Sequence, residues 1–365
     1  MFLISRVKFD AKIRTNMTNT FLSALVQLGK WFLGEVENEG PKDKVLLSMA
    51  EARNRWFTHE FVKDAMHANG EMLKVEVLET WLANYPSLNS KHSPRRIALV
   101  LAGNLPMVGW HDVLCVLLCG HHAVVKCSSD DKVLIPAAIN ALDSFCEEDV
   151  AARIHFVEGR LEDVDAVIAT GSANTNRYFE YYFRDLPRVL RSQRTSVAVL
   201  SGSETLQQLQ SLGADVFKYY GLGCRSVTKI MLPRGFDLNR LFAAWVGWGY
   251  IADNSKYVNN YDYHKAVWLL NREDLVENGF LLMKEDAGWV SPVGTLYYSW
   301  YDEVDLMRLE LESAANELQC IAIEDPDLLN ISMVPTVPFG QSQKPNPWDY
   351  ADGVDTMNFL LALSS

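Results

Sequence analysis

The chain has 365 residues, of which 48% are hydrophobic, 22% charged and 11% aromatic. This composition is too apolar for a disordered chain and too charged for a membrane bundle, and the length suits about two domains. The 34 Lys and Arg against 46 Asp and Glu give a formal net charge of −12. Such a charge weakens the phosphate attraction on which nucleic-acid binding depends, so no nucleic-acid partner is expected.

Neither an export signal nor a membrane span is predicted. The apolar run at residues 2–4 is too short for a signal-peptide core. The longest apolar stretch, residues 97–125, is interrupted by Asn104, Pro106 and Asp112, whereas a spanning helix needs about 20 mostly apolar residues. A cytoplasmic location is therefore expected. Met17, just before a helix-capping Thr18-Asn19-Thr20, is an alternative translation start that an N-terminal peptide mass would test.

The first quarter of the chain is predicted to form a helical layer. Apolar residues recur at helical spacing over residues 21–32, 45–57, 61–68 and 72–85. These apolar stripes are expected to pack on a core rather than to bind a membrane. The segment 86–96, rich in Pro and Ser, marks the end of the layer.

Beyond residue 96, short apolar runs alternate with helical patterns. Strands are predicted at 96–102, 123–127, 154–157, 164–169, 197–200, 226–232, 293–298 and 320–323, and helices at 108–118, 133–145, 173–183, 238–248 and 304–318. This alternation predicts right-handed βαβ units and mainly parallel sheets in two α/β lobes. The aromatic-rich segment 245–263 would either form packed core, which we favour, or line an apolar ligand channel.

Polar residues follow three of the predicted strands, where parallel sheets bind ligands. Asn104, in Leu101-Ala102-Gly103-Asn104-Leu105-Pro106, would either donate to an oxyanion or bond its own turn. Lys126, followed by the hydroxyls of Ser128 and Ser129, suits a phosphate or ribose, or is an ordinary surface lysine. Thr170-Gly171-Ser172 opens a helix whose N–H groups suit a pyrophosphate, although Ser172 alone would also serve as a helix cap.

Among the six cysteines, Cys224 has a distinctive setting. It lies between Gly221 and Gly223 on one side and a predicted strand on the other, and Arg225 follows it. The glycines allow a ligand to approach the backbone closely, and the guanidinium favours the thiolate form of a nucleophilic cysteine. The other five, at positions 115, 119, 127, 146 and 320, lie in or beside apolar patterns, form no disulfide framework and are expected to be small buried hydrophobes.

Several common catalytic motifs are missing from the sequence. No H-E-x-x-H or paired C-x-x-C pattern is present, and the adjacent His121 and His122 point apart, so no metal site is predicted. No G-x-S-x-G elbow or Walker loop occurs, which disfavours serine hydrolases and P-loop kinases.

In chain order these motifs resemble a compact aldehyde dehydrogenase, and more closely the acyl-CoA reductase family of the bacterial bioluminescence system and its non-luminous relatives. The resemblance covers about residues 21–361. The segments that carry it are Leu101-Ala102-Gly103-Asn104-Leu105-Pro106, Thr170-Gly171-Ser172-Ala173-Asn174-Thr175 with Arg177-Tyr178-Phe179, Gly223-Cys224-Arg225-Ser226, Pro338-Phe339-Gly340 and Trp348-Asp349-Tyr350-Ala351-Asp352-Gly353-Val354-Asp355.

The resemblance implies two Rossmann-like lobes with mainly parallel sheets and an N-terminal helical layer. It divides the chain into the helical layer 1–95, a cofactor lobe 96–193, a catalytic lobe 194–345 and a C-terminal tail 346–365. It further implies NADPH-dependent reduction of a long-chain acyl-CoA, or of an acyl-carrier thioester, to the aldehyde, with NADH as a second candidate cofactor. A homo-oligomer is expected.

The same resemblance assigns roles to the candidate residues. Cys224 matches the acylated nucleophile and Asn104 the oxyanion donor. The cofactor would be bound by Lys126, Ser128, Thr170, Gly171 and Ser172. Because CoA and NADPH are anionic, Lys126 and Arg225 are expected to supply positive charge on an otherwise negative protein.

Two segments depart from the hydrolytic aldehyde dehydrogenases. Their general base, a Glu, has no counterpart in residues 190–193, which suits an enzyme that must not hydrolyse its thioester. Their ribose-binding Glu aligns near Gly288, which leaves Glu285 and Asp286 as candidate substitutes. Two alternatives remain open at this stage: a cysteine acyltransferase or thioesterase that needs no nicotinamide, and a non-catalytic subunit that binds an acyl carrier.

Overall fold

The computed structural model describes residues 19–37, 39–89, 93–147, 149–171 and 173–363. The chain divides into two compact units after Ser192. The first unit comprises the described residues up to Ser192 together with those from Asn346 onward, and the second comprises residues 193–345. Met1, Met17 and Ser172 lie outside the described residues.

The first unit begins with a layer of four helices. They are α1 (Asn19–Phe32), α2 (Lys44–Arg53), α3 (His59–Met72) and α4 (Val75–Leu82), with single 3-10 turns at Gly40–Lys42 and Pro86–Asn89. The side chain of Asp43 caps α2, and that of Thr58 caps α3. The apolar stripe of α1, which includes Leu22, Leu25 and Leu28, is fully buried in the core cluster of this unit. The predicted helical layer is therefore present and packs on the unit's core.

A five-stranded parallel sheet forms the centre of the first unit. Its elements are β1 (Arg96–Val100), α5 (Trp110–Leu118), β2 (His122–Lys126), α6 (Leu134–Phe145), β3 (Ile154–Phe156), β4 (Ala166–Thr170), α7 (Ala173–Tyr182) and β5 (Arg188–Arg191), with a 3-10 turn at Ala151–Arg153. The strand order is β3-β2-β1-β4-β5. After β3 the chain crosses to the other side of β1 to form β4. The point at which strand order reverses, where doubly wound sheets bind ligands, thus lies between β1 and β4.

The C-terminal segment returns to the first unit. A 3-10 turn at Ala351–Gly353 leads to α12 (Thr356–Ala362), which packs on α5. The hydroxyl of Tyr350 accepts a hydrogen bond from Trp81 Nε1 at 2.8 Å and lies 2.7 Å from the hydroxyl of Tyr85. Residues 346–363, expected as a tail, thus complete the core of the first unit.

The second unit is built on a seven-stranded sheet. Its elements are β6 (Thr195–Val199), α8 (Leu206–Phe217), β7 (Val227–Pro233), α9 (Asn239–Trp245), α10 (Ser255–Leu270), β8 (Val276–Glu277), β9 (Leu282–Glu285), β10 (Thr295–Tyr301), α11 (Val304–Ser313), β11 (Leu318–Ala322) and β12 (Thr336–Val337), with 3-10 segments at Lys218–Gly221, Val246–Asp253 and Pro326–Leu328. The strand order is β12-β11-β6-β7-β10-β9-β8, and only β8 pairs antiparallel.

The fold class expected from the sequence is confirmed, since both sheets are mainly parallel and a helical layer precedes them. The segment 245–263 belongs to α9, the following 3-10 helix and α10 rather than to one uniform core segment. Trp245, Tyr257 and Tyr261 are buried, whereas Tyr250 and Tyr263 are 43% and 62% exposed. The prediction that residues 245–263 form packed core therefore holds for the buried residues of this segment and not for the exposed ones.

Candidate active site

In the first unit, the turn after β1 presents Asn104. Two buried side chains from other elements hold this turn at its ends. Asn54 Nδ2 donates to Gly103 O at 3.2 Å, and Met107 N donates to Asp131 Oδ2 at 3.2 Å. Burial raises the pKa of Asp131, which also accepts from Leu134 N at the start of α6. Asn104 itself is exposed, so its turn is fixed while its side chain lies at the surface of this unit.

The turn after β2 lies directly against the turn after β1. A Cβ atom added to Gly103 would be 2.5 Å from both Cβ and Oγ of Ser128. The Ser128 hydroxyl accepts from Asp130 N at 3.2 Å, and Arg53 Nε donates to Ser129 O at 2.6 Å. The turns that carry Asn104 and Ser128 therefore form one packed edge at the carboxyl ends of neighbouring strands.

Lys126 ends β2 at the same edge. Its ammonium donates to Gly159 O at 3.0 Å, so the side chain extends towards the turn that follows β3. An ion pair of Lys132 Nζ and Glu158 Oε1 lies beside it at 2.7 Å. A cation and a serine hydroxyl at one edge of a parallel sheet suit an anionic or polyhydroxylated ligand such as a nucleotide.

Thr170 is the last residue of β4, and Gly171 follows it before α7. A Cβ at Gly171 would be 3.0 Å from Thr175 Cβ and 3.1 Å from Asn176 Oδ1, so only glycine fits against the first turn of this helix without displacement. Asn176 Nδ2 donates to Arg191 O at 2.9 Å and ties the helix to β5. The N-terminus of α7 thus lies beside the point where strand order reverses. N–H groups at the N-terminus of a helix favour binding of an anion such as a phosphate.

Cys224 lies in the second unit, in the loop between α8 and β7. The turn around it is closed by two hydrogen bonds: Gly223 N donates to Ser226 Oγ at 3.1 Å, and Ser226 N donates to Gly223 O at 3.0 Å. Ser196 Oγ on β6 donates to the carbonyl oxygen of Cys224 at 3.0 Å. Cys224 is half-buried on a hydrogen-bonded turn, which is a suitable support for a nucleophile.

A strained backbone precedes this turn. Tyr219 and Tyr220 have φ of 53° and 58°, and Gly221 has φ of 74°, so three successive residues adopt the left-handed conformation. Non-glycine residues pay of order 1 kcal/mol or more for this conformation, and such residues cluster at functional sites. The ring of Tyr220 is buried 5.7 Å from that of Tyr257, and both line a small pocket beside the loop. Aromatic packing offsets the backbone strain.

The other five cysteines differ from Cys224 in their surroundings. Cys115, Cys119 and Cys320 are buried, and burial raises the pKa of all three thiols. Burial also raises the pKa of Cys127 to about 11. These four thiols are protonated near neutrality. Cys115, Cys119 and Cys320 are buried as expected, whereas Cys127 and Cys146 are only half-buried, because they pack against the edge of the first unit's core.

The proposed substitutes for the ribose-binding Glu have partners within the second unit. Glu285 Oε2 accepts from Trp300 Nε1 at 3.2 Å. Asp286 accepts from Gly288 N at 2.8 Å and pairs with Lys284 at 3.1 Å. Burial alone would raise the pKa of Asp286, but the Gly288 N–H and the Lys284 ammonium lower it overall. Both carboxylates therefore stabilise the local structure around residues 285–288.

Sequence reasoning missed the residues that hold the two candidate regions. Asn54, Ser196 and Ser226 act through contacts with residues distant in sequence or through backbone groups, which no local pattern reveals. Asp131 accepts from the backbone N–H of Leu134 although Val133 occupies the N-cap position of α6, so the usual capping pattern does not identify it either. Within the described residues, no group of three or more His, Cys, Asp or Glu could hold a metal ion.

A model of the acyl-CoA reductase (LuxC) family matches residues 32–236, a span that includes Asn104, Lys126, Gly171 and Cys224 but not Glu285 and Asp286. The chain belongs to the acyl-CoA reductase (LuxC) family. It is therefore an oxidoreductase of the acyl-CoA/aldehyde type. No curated protein sequence matches the chain.

Solved structures place this LuxC family member in the aldehyde dehydrogenase fold. Aldehyde dehydrogenase 21 from Physcomitrella patens, in complex with its product succinate, matches with a TM-score of 0.67 and 11% identity, over 98% of this chain and 85% of that one. An aldehyde dehydrogenase from Mycobacterium tuberculosis complexed with NAD⁺ matches with a TM-score of 0.59 and 15% identity, over 92% and 80%. An oxidoreductase from Marinobacter aquaeolei matches with a TM-score of 0.63 and 12% identity, over 90% and 78%.

In the part of this LuxC family member that the structure describes, no helix is both long enough and apolar enough to cross a bilayer.

Proposed function

We propose that this enzyme reduces a long-chain acyl thioester to the corresponding aldehyde, with NADPH as reductant and an acyl group carried on Cys224. The observation that carries the proposal is the setting of Cys224, half-buried on a turn fixed by Ser226 and Ser196. Covalent catalysis requires a nucleophile whose backbone does not move during attack, and this turn provides it.

The chemistry follows from these residues. The Cys224 thiolate attacks the acyl carbonyl carbon and forms an oxyanion, and we assign Asn104 as the oxyanion donor because it matches the donor of this family in sequence. The carrier thiolate then leaves with the electron pair of the broken C–S bond, and the acyl group stays on Cys224. The nicotinamide, when bound, supplies the hydride for the acyl carbon. Protonation of the resulting oxygen gives a thiohemiacetal on Cys224, which releases the aldehyde and regenerates the thiol.

The first unit supports binding of the nicotinamide cofactor. Lys126, Ser128, Thr170, Gly171 and Ser172 are the residues we assign to this role. Lys126 and Thr170 are the last residues of β2 and β4, the two strands that flank β1, and Ser128 and Gly171 follow these strands. A cationic side chain beside serine hydroxyls favours the extra phosphate of NADPH over NADH. Solved relatives of the same fold bind NAD⁺, as the Mycobacterium tuberculosis enzyme does.

In hydrolytic aldehyde dehydrogenases one segment supplies a general base. The corresponding segment of this chain contains no Glu, which favours reduction over hydrolysis. Here residues 190–193 contain Arg191, a buried residue that pairs with Asp112 and donates to Thr356 Oγ1 at 2.8 Å. A cation already engaged with a carboxylate cannot activate water as a base. The absence of a Glu from residues 190–193 is consistent with an acyl-cysteine that is reduced rather than hydrolysed. This argues against the thioesterase alternative, and family membership argues against a non-catalytic subunit.

The test uses a long-chain acyl-CoA labelled in the acyl group. Without NADPH, label is expected on Cys224 of the wild type and not of Cys224→Ala, while Cys146→Ala, a half-buried cysteine of the first unit, labels normally. Adding NADPH should discharge the label as aldehyde with loss of absorbance. Labelling without NADPH consumption would overturn the reductase proposal in favour of an acyltransferase or thioesterase. A protein that neither becomes labelled nor consumes NADPH would favour the alternative of a non-catalytic subunit that binds an acyl carrier.

The same assay addresses the finer predictions. A panel of acyl-CoA and acyl-carrier thioesters, each with NADPH and NADH, tests chain length, carrier and cofactor. We also predict a homo-oligomer, which sedimentation equilibrium tests, and a cytoplasmic location, which cell fractionation tests.

A further inference from the structure

A second segment of the chain contacts the Cys224 turn. Gln343, which follows the Pro338-Phe339-Gly340 motif, donates from Nε2 to Ser226 Oγ at 3.1 Å. The same Ser226 oxygen accepts from Gly223 N at 3.1 Å. Ser226 is fully buried. One serine hydroxyl therefore joins the turn that carries Cys224 to a residue 117 positions later in the chain.

The Ser226 hydroxyl oxygen accepts two hydrogen bonds, and together they fix its rotamer. A serine oxygen has two lone pairs, and here one faces Gly223 N–H while the other faces the Gln343 amide. Without the amide, the Ser226 hydroxyl can rotate to another staggered position and release Gly223 N–H. The turn would then lose one of the two hydrogen bonds that close it, and the backbone at Cys224 would become mobile.

Gln343 is itself held by a rigid turn. Asp215, a fully buried residue of α8, accepts from Gly340 N at 2.6 Å, from Ser342 N at 3.0 Å and from Ser342 Oγ at 2.7 Å. Gly340 has φ of 78°, and a Cβ there would lie 3.1 Å from Ser211 O. The residues before Gln343 are thus fixed to α8, so its side chain reaches Ser226 from a constant position.

We propose that Gln343 is a positioning residue for the nucleophile: through Ser226 it holds the Gly223–Ser226 turn in the conformation that presents Cys224 to the acyl carbonyl. This proposal rests on the proposed function, because it assumes that Cys224 is the acylated residue. The acyl thioester never needs to touch Gln343. Its role is to keep the sulfur and the adjacent backbone N–H groups in the geometry required for attack.

The test compares Gln343→Met with Gln341→Met. Methionine has nearly the volume of glutamine but no amide donor, and Gln341 is an exposed glutamine on the same turn. Two rates are measured: kcat with acyl-CoA and NADPH, and the alkylation of Cys224 by iodoacetamide across a pH series, followed by mass spectrometry of its peptide. Loss of one hydrogen bond is expected to lower both rates roughly 3- to 10-fold in Gln343→Met, with the KM for NADPH and the Gln341→Met rates unchanged.

A merely structural role would lower the melting temperature of Gln343→Met without changing the alkylation rate per folded molecule, and that result would overturn the proposal. Ser226→Ala should resemble Gln343→Met, and the double variant should be no slower than the slower single variant, because both changes remove the same connection. Additive losses of rate in the double variant would argue against a shared connection through Ser226. A wild type that neither labels Cys224 nor consumes NADPH would refute the proposed function, whereas an active wild type with equal Gln343→Met and Gln341→Met rates refutes only this inference.

Discussion

Gly103 lies so close to Ser128 that a single added carbon at Gly103 would come within 2.5 Å of the serine Cβ and Oγ. The contact joins the turn of Asn104 to the turn that follows Lys126. Since both turns follow neighbouring strands, this glycine sets the spacing between the proposed oxyanion donor and the proposed cofactor-binding residues of the first unit.

Gly103→Ala is expected to weaken NADPH binding by about tenfold or more, because overpacking a tight contact costs about 1–3 kcal/mol and here displaces a binding turn. The dissociation constant is measured by isothermal titration calorimetry. Gly247→Ala serves as control, since no heavy atom lies within 4 Å of the position of its added Cβ. Equal affinities of the two variants would contradict the role given to Gly103.

Asn104→Ala is expected to lower kcat by about 10²- to 10³-fold if the side chain donates to the oxyanion. The turn should survive the change, because Asn54 and Asp131 hold its two ends. Asn84→Ala, at an exposed asparagine of the same unit, is the matched control. Steady-state kinetics and far-UV circular dichroism together decide the matter: unchanged turnover in Asn104→Ala would assign the residue a turn-forming role only.

The parallel strands were predictable because their burial follows from sequence alone. The runs that became β1, β2 and β4 are short and apolar, as strands covered on both faces must be. Helix α8 was missed although Thr205 and Gln208 form a capping box, a signal visible in the sequence. Helix α10 has a capping residue, Asn254, but polar and aromatic residues alternate along the helix without a clear apolar stripe.

The candidate site was only half predictable, for a physical reason. Asn104 follows an apolar run, Lys126 ends one and Cys224 precedes one, so the ends of predicted strands marked all three residues. Ser196, Ser226 and Gln343 act through contacts with distant parts of the chain, and Ser226 meets Gln343 across 117 positions. No local pattern encodes such pairs. The return of Tyr350 to Trp81 and Tyr85 is invisible for the same reason.

Asp215 predicts a specific pH dependence of stability. Burial raises its pKa from 3.8 to about 6, although Ser342 and Gly340 donate to its carboxylate. The folded chain therefore binds this proton more tightly than the unfolded chain does. Its contribution, on the order of 3 kcal/mol, is complete below about pH 4 and is lost as the pH rises through about 6.

Asp215→Asn removes this titration. The slope of unfolding free energy against pH, measured by urea denaturation between about pH 4 and pH 7, should become more positive than that of the wild type. Asp262→Asn, an exposed aspartate of the same unit, should leave the slope unchanged. Parallel slopes for wild type and Asp215→Asn would contradict the assignment.

The Arg191–Asp112 pair predicts a strong penalty for breaking a buried ion pair. Both side chains are buried, and the guanidinium also donates to Thr356 of the C-terminal segment. Asp112→Leu or Arg191→Met alone should lower the unfolding free energy by about 3–5 kcal/mol, whereas the double variant should lose much less, because no unpaired charge remains buried. Arg234→Met, in an exposed pair with Asp302, should barely change the denaturation midpoint. Additive losses in the double variant would rule out this account.

Lys229 presents the opposite case, a buried cation without a close carboxylate. Its side chain is inaccessible, its ammonium donates to Ala287 O at 3.1 Å and lies 4.5 Å from the Trp289 ring centroid, and Glu310 Oε1 is 3.9 Å away. Burial lowers its pKa, so the charged form destabilises the folded chain until the amine loses its proton.

Lys229→Met is therefore expected to be at least as stable as the wild type at pH 7, while Lys229→Ala loses about 2–5 kcal/mol through the cavity it leaves. The wild type should gain stability relative to Lys229→Met as the pH rises towards about 10, the range in which an unfolded lysine titrates. Urea denaturation of the three proteins at neutral and alkaline pH measures this gain, and a Lys229→Met variant less stable than the wild type at pH 7 would mean that the ammonium contacts outweigh the cost of its burial.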